Sequence, residues 1–525
     1  MKADPRTPRE RVLAVSALLL FAAALRALTY TGFFGSDEVT YTEFAFKLLH
    51  GDWTVDPYVG ANRYGINLPV ALFGLLFGQN EFGAAFWSLA CSVAEVGLLA
   101  WAAMRWFGLR TGIVAGVLLA TLPIHVAYAG RLLADAPQAL CISASFVLFF
   151  EGERRGSARA FFFAGVAAGL VFWIKQVTLF YLLVFLTYPL LFRRFDVKWV
   201  WMVLGFAATI AIHLPFFAAL TGDPLYLVHA LRARRSSGFL ESGLADGSMV
   251  DGPAFYLDYL FINIYQTWLL GPLFVIGCWL GSRDAASGPM FRRALLWALG
   301  LVAALSVLPI SFAPLVFVPK QTNYMLMFVA PLCLVAALAF ERLSAPRLTW
   351  ALGLGLLLPS LALALLQQAS VRVFTANSQA AVEFARARPD VALYATTNAF
   401  RAATFRNLVE PARPPVRIGS MDDLAAAPAD RDRLVILDTQ TWAWASREPI
   451  RRLQDVPACW QRESTLTPLA DGAGVRLAAT TASLLEAAPA LASVTARLRA
   501  LTAPAPAFVY RLPAGCAAPA VVKAR

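Results

Sequence analysis

The chain has 525 residues, of which 59% are hydrophobic and only 15% charged, and its mean hydropathy is +0.61. A soluble protein of this length carries far more charge, so a water-soluble globular enzyme is excluded. The net charge of +12 sits mainly in short connections between apolar runs, which is a signal of membrane topology and not of nucleic-acid binding.

Apolar stretches of roughly 20 residues, each able to cross about 30 Å of hydrocarbon, recur from the N-terminus onward. The first, Val12 to Leu28, follows Lys2, Arg6, Arg9 and Arg11. Arg26 interrupts its apolar run and no small-x-small cleavage site follows, so it reads as a retained helix and not as a signal peptide. Next comes Gly35-Ser36-Asp37-Glu38-Val39-Thr40-Tyr41. Carboxylates are costly to desolvate, which makes an adjacent acid pair at a bilayer surface poor packing material. Two readings stand: a carboxylate that accepts a proton from an incoming hydroxyl or amine, or an acidic start to a helix over Tyr41 to His50.

Further spans are predicted near 82–104, 112–129, 135–150, 160–175, 176–192, 198–221, 258–280, 291–310, 324–340 and 348–367. The total is about eleven, with Ile66 to Phe77 and Ser311 to Val318 as two shorter, interfacial candidates. Arg105 and Arg110, then Arg154, Arg155 and Arg159, then Arg193, Arg194 and Lys198, fall in every second connection. Arg283, Arg292, Arg293, Arg342 and Arg347 continue the series, on the side of the basic N-terminus, which the positive-inside rule makes cytoplasmic. Asp37, Arg131, Asp135, the loop 222–257 and everything after Gln368 then face outward.

Other outward charges accompany the acid pair. Arg131-Leu132-Leu133-Ala134-Asp135-Ala136-Pro137 reads either as a local ion pair at a helix start or as an anion site at that start, aided by Arg131. Lys175 closes the fifth span, as a snorkelling anchor or a ligand for phosphate. Arg232, Arg234 and Arg235 crowd an outer loop against the positive-inside trend, where they meet a phosphate or lipid headgroups. Tyr226 and Phe239 flank them, and Ser236 through Gly252 suggests a mobile segment. Lys320 precedes Gln321-Thr322-Asn323-Tyr324.

After Gln368 the long apolar runs stop. Strands are predicted at Val391 to Thr396, Val416 to Ile418, Leu434 to Asp438 and Phe508 to Leu512, and helices at Ser378 to Arg388, Met421 to Ala427 and Ala479 to Leu501. This is a small α/β domain outside the membrane, without a nucleotide or phosphate-loop motif. Cys459 and Cys516, outside the cytoplasm, suit a disulfide; Cys91, Cys141, Cys278 and Cys333 lie in spans as apolar filling. The four histidines form no metal motif, and no cofactor is expected, although an acid pair by itself leaves room for a divalent ion.

The order of a span, Asp37-Glu38-x-x-Tyr41, an Arg131-x-x-x-Asp135-x-Pro137 loop, a Lys175 closing a span and a late Lys320-x-x-x-Tyr324 resembles glycosyltransferase family 39, of the GT-C fold. That family contains the protein O-mannosyltransferases and the lipid A aminoarabinose transferases. Thr40 stands where the latter usually carry arginine, which departs from the aminoarabinose branch. The resemblance implies an α-helical polytopic membrane protein with about eleven to thirteen transmembrane helices, a transferase domain over 1–368 and an extracytoplasmic α/β domain over 369–525. It implies inverting transfer, on the outer side of a bacterial inner membrane, from a polyprenyl-phosphate sugar to a lipid, glycan or protein acceptor, among membrane lipids and without nucleic acid. Asp37 would deprotonate the acceptor with Glu38 shaping its field, the two acids raising one another's pKa. Tyr41 and Asp135 would orient groups at the site. Arg131, Lys175 and Lys320, with Tyr324 and the arginines at 232, 234 and 235, would hold the donor and offset charge on its departing phosphate. A transporter or lipid flippase is the rival reading, but transporter sites lie near the bilayer midplane between repeated halves. Here the charges gather at the outer surface and no repeat is evident.

Overall fold

The computed structural model describes residues 8–236, 252–283, 288–312, 315–341, 346–442 and 448–516. They form two compact units: Met1–Leu28, Lys47–Pro69 and Phe86–Ala364, and Thr29–Phe46, Val70–Ala85 and Leu365–Arg525. The second unit thus joins the C-terminal region to the segment carrying Asp37.

In chain order the chain opens with α1 (Pro8–Leu28), α2 (Asp37–Leu49), α3 (Tyr64–Phe77) and α4 (Glu81–Phe107). The predicted span 112–129 is two helices, α5 (Leu109–Thr121) and α6 (Pro123–Ala129), bent by 60°. The cause is local: a residue before proline is pushed out of the helical region, and Leu122 takes ψ 120° ahead of Pro123. Next come α7 (Asp135–Arg155) and α8 (Ala158–Ile174), and the stretch predicted as 176–192 starts as a 3-10 turn over Gln176–Leu182 before α9 (Leu183–Phe192). There follow α10 (Val200–Thr221) and α11 (Tyr226–Ser236), and the predicted span 258–280 is broken into α12 (Phe255–Phe261) and α13 (Leu270–Gly281), with Trp268 at φ 49° between them. There follow α14 (Gly288–Val307), an antiparallel pair β1 (Pro309–Phe312) and β2 (Leu315–Phe317), and α15 (Leu326–Ala337). Then α16 (Pro346–Arg386) continues as one helix through the predicted boundary at 368.

Among the described residues six helical segments are long and apolar enough to cross a membrane, or seven when α5 and α6 count as one span. Several of the other predicted spans fall on shorter apolar helices, α8, Gln176–Phe192 and α13 among them, and α3 is likewise short. The chain is an α-helical, multi-pass membrane protein.

Small residues let its helices approach closely, as expected where apolar surface alone gives no reason to associate. A Cβ at Gly165 on α8 would lie 1.9 Å from the Met202 carbonyl oxygen on α10, and one at Gly205 would lie 2.0 Å from that of Phe162. At the bundle's centre α15 is buried along its whole length and packs against α5, α13 and α14, matching its all-round apolar surface.

Charges inside the bundle are paired. Arg26 on α1 donates to Ser92 Oγ (3.2 Å) and to His125 Nδ1 (2.7 Å). His125 Nε2 is 3.1 Å from Glu95, whose other oxygen accepts from Ser143 (2.7 Å). Since arginine only donates, Nδ1 of His125 must accept and Nε2 carries the proton towards Glu95. The network ties α1, α4 and α7 to the short bent helix α6, which leads into the Arg131 loop.

In the second unit β3 (Leu393–Ala395) pairs parallel with β4 (Arg433–Asp438), which pairs antiparallel with β6 (Ala507–Leu512), and β5 (Gln461–Leu466) is antiparallel to β6 at the edge. Between β3 and β4 lie α17 (Thr397–Val409) and α18 (Met421–Ala426). The predicted strand Val416 to Ile418 does not form; the next residue, Gly419, makes an isolated bridge with Tyr394. The long helix predicted over 479–501 is two, α19 (Ala473–Leu485) and α20 (Ala492–Ala500), with Pro489 in the turn between. Cys459 and Cys516 form the disulfide suggested by the sequence, and Cys91, Cys141, Cys278 and Cys333 are free.

Candidate active site

Asp37 is the first residue of α2, half-buried at the helix N-terminus, where the helix dipole favours a carboxylate. Tyr41, fully buried one turn along, donates to its Oδ2 at 3.2 Å. Glu38 is used differently. Its buried carboxylate accepts from the backbone N–H groups of Phe34 (2.7 Å) and Gly35 (2.5 Å) at one oxygen and of Ser36 (2.9 Å) at the other. Burial raises its pKa, against these three N–H bonds, which lower it. The cause is therefore desolvation and not the neighbouring acid. Glu38 shapes the turn that delivers Asp37 and has little capacity left for a substrate.

In the first unit Arg131, Asp135, Lys175 and Tyr324 come together. Lys175, buried at the end of α8, is 2.9 Å from Asp135 Oδ1 at the start of α7 and lies 4.5 Å from the centre of the Tyr324 ring. Asn323 donates to the same oxygen at 3.0 Å. Arg131 lies over the Tyr128 ring at 4.8 Å, and Tyr128 hydrogen-bonds Thr322 at 3.0 Å. A buried ammonium held by a carboxylate and an aromatic face is not a snorkelling anchor, since its charge is kept inside the protein. Lys320 is buried too and donates to the carbonyl oxygens of Leu305 (2.5 Å) and Val318 (2.9 Å). It braces the β2 end of this region.

Two residues of the cluster carried no sequence signal. Asn323 was only a neighbour of Lys320, and Arg63, between α3 and the turn before it, places its charge close enough to act on Lys175. The basic run at 232–235 lies on α11 and not in a loop, because the helix runs on to Ser236; Arg232 is exposed. The stretch 237–251, predicted to be mobile, is outside the described residues, as is Phe239. Among the described residues no three His, Cys, Asp or Glu side chains gather to hold a metal ion.

Residues 66–218 match the protein family described as dolichyl-phosphate-mannose-protein mannosyltransferase. In structure the chain is similar to ArnT from Cupriavidus metallidurans in the apo state, with a TM-score of 0.57 and 15% identity, covering 97% of this chain and 99% of that one. The same protein bound to undecaprenyl phosphate gives 0.56 at the same identity and coverage. The chain has the GT-C fold. It is also similar to the archaeal oligosaccharyltransferase AglB from Archaeoglobus fulgidus, in complex with an inhibitory peptide and a dolichol-phosphate, at 0.52 and 13% identity over 82% of this chain and 70% of that one. The family-matched segment of this GT-C chain holds Arg131, Asp135 and Lys175, while Asp37 precedes it.

Proposed function

We propose that this protein is a glycosyltransferase that, on the outer side of the inner membrane, moves a sugar from a polyprenyl-phosphate carrier to a lipid, glycan or protein acceptor. The reading is carried by one observation: the likeness to ArnT, a protein solved with undecaprenyl phosphate bound, runs over 97% of the chain. The region 1–368 is the transferase domain of a multi-pass protein of a bacterial inner membrane, with a cytoplasmic N-terminus. Region 369–525 is its extracytoplasmic domain.

In this scheme Asp37 takes the proton of the acceptor hydroxyl or amine as that atom attacks the anomeric carbon. The bond from that carbon to the phosphate oxygen breaks, its electron pair leaves with polyprenyl phosphate, and a single displacement inverts the centre. Lys175, with the Arg63 charge near it, and Arg131 offset the charge of the leaving phosphate, an electrostatic contribution set before the reaction starts. Asp135 and Tyr324 keep the Lys175 ammonium in place. Arg232, Arg234 and Arg235 on α11 attract the anionic donor to the surface.

Purified protein in vesicles, given radiolabelled lipid-linked sugars extracted from its own host membranes, is expected to transfer label to envelope acceptors and to release free polyprenyl phosphate. Movement of the intact lipid-linked sugar across the bilayer without its consumption would establish the flippase reading instead.

A further inference from the structure

The turn that bears the acid pair is gripped by the C-terminal region of its own unit. Arg401 on α17 donates from Nη1 to the carbonyl oxygen of Gly35 at 2.8 Å. The Ser36 N–H of that same peptide group goes to Glu38 at 2.9 Å. Both polar edges of the Gly35–Ser36 peptide, one residue ahead of Asp37, are thus fixed, one by α2 and one by α17. Gly35 is at φ 99°, a left-handed conformation that glycine tolerates, and a Cβ on it would lie 1.5 Å from Oδ1 of Asn398.

Asn398 cannot easily retreat. It is fully buried, its Nδ2 donates to Ser378 Oγ at 2.9 Å, and Ser378 in turn donates to Asp438 Oδ2 on β4 at 2.8 Å. Aromatic pairs flank the turn: Phe33 meets Phe405 of α17 at 5.6 Å and Phe34 stacks on Phe374 of α16 at 4.9 Å. The sheet, through Asp438, Ser378 and Asn398, and α17, through Arg401, together form a template against which the turn is set.

We propose that α17 is the positioning element of Asp37, with Arg401 and Asn398 as positioning residues for the transfer reaction. The C-terminal region then acts in turnover by holding the place and direction of the base. This rests on the reading of Asp37 as the base. Misplacing a reacting group by about 1 Å can cost on the order of a hundredfold in rate, so loosening one of two anchors is expected to cost about tenfold or more.

The test compares full-length Arg401→Ala, Arg401→Lys, Gly35→Ala, Asp37→Asn and the double variant Arg401→Ala with Asp37→Asn. Host lipid-linked sugars serve as the donor probe, and thermal unfolding and disulfide formation serve as folding controls. Arg401→Ala is expected to lower kcat about tenfold or more with donor KM little changed, to speed hydrogen exchange at the amides of Phe34 to Ser36, and to leave melting near wild type. Arg401→Lys should recover part of the rate, and Gly35→Ala, which displaces Asn398, should lower it at least as far. Coupling through Asp37 requires that the double variant be no slower than Asp37→Asn alone. Multiplying losses, or wild-type exchange and turnover in folded Arg401→Ala and Gly35→Ala protein, would overturn the positioning role. Undiminished turnover in Asp37→Asn would instead remove the base assignment on which the inference stands, and that single variant reports it separately.

Discussion

Replacing Glu38 separates a residue that shapes the turn from one that takes part in chemistry. In Glu38→Ala three N–H groups lose their acceptor. Gly35 N–H is buried, while those of Phe34 and Ser36 are part-buried and can turn to water. A buried donor left unsatisfied costs about 1–3 kcal/mol and an exchanged hydrogen bond about 0.5–1.5 kcal/mol, which gives a total near 4 kcal/mol. Glu38→Gln keeps one oxygen for Phe34 and Gly35 but sets an NH2 against the Ser36 N–H, a loss of about 1 kcal/mol. Against that loss, the amide no longer has to bury a charge. The sign follows from the raised pKa. A carboxyl raised on folding gives its full stability below the ordinary carboxylate range and loses it as pH climbs through the raised value, and the Gln variant should lack that dependence. Thermal unfolding across pH and turnover in vesicles measure both effects. Glu38→Gln is expected within about tenfold of wild-type turnover and Glu38→Ala to fall about a hundredfold, in line with a displaced reacting group. Wild-type stability and turnover in Glu38→Ala, or a Glu38→Gln variant as inactive as Asp37→Asn at unchanged stability, would refute this division of labour.

Three further outcomes follow from the same structure. Lys175→Met leaves the Asp135 carboxylate buried without its cation and should cost about 3–5 kcal/mol, whereas Lys175→Met with Asp135→Asn should regain stability but not transfer, as double-mutant melting and kinetics will show. Burial raises the Asp438 pKa to about 6, so its stability is present below about pH 4 and lost as pH rises through 6, about 3 kcal/mol in all; Asp438→Asn should flatten that slope in pH-dependent unfolding. The Cys459–Cys516 bridge closes a separation of 57 residues, for which chain entropy gives about 4 kcal/mol, so reductant should lower the melting point of the second unit, and both thiols should resist alkylation until reductant is added.

The membrane class, the acid pair and the disulfide could be read from the chain because each has a local signature: apolar length, two adjacent carboxylates, two cysteines outside the apolar runs. Strands β4 and β6 were legible as short runs of apolar and aromatic residues, and both are largely buried. Strand β5, Gln461 to Leu466, was not, because it lies at the sheet edge with mostly exposed polar side chains. Helix α17 escaped as well, since Thr397-Asn398-Ala399-Phe400-Arg401 carries no apolar stripe and its role lies in tertiary bonds to Gly35. Asn323 and Arg63 reach Lys175 and Asp135 only through folding, from sequence separations that no spacing rule spans. The bend at Leu122 could have been foreseen from Pro123, and Arg26 in the first span asked for partners that only the folded bundle supplies, in His125 and Ser92.

Asp37→Asn tests the central claim most directly. The substitution keeps the shape of the side chain and an acceptor for Tyr41 while removing the base. With host lipid-linked sugar as donor, turnover is expected to fall by about a hundredfold or more, with donor KM and thermal unfolding close to wild type. Turnover near wild type in folded Asp37→Asn protein would contradict the account.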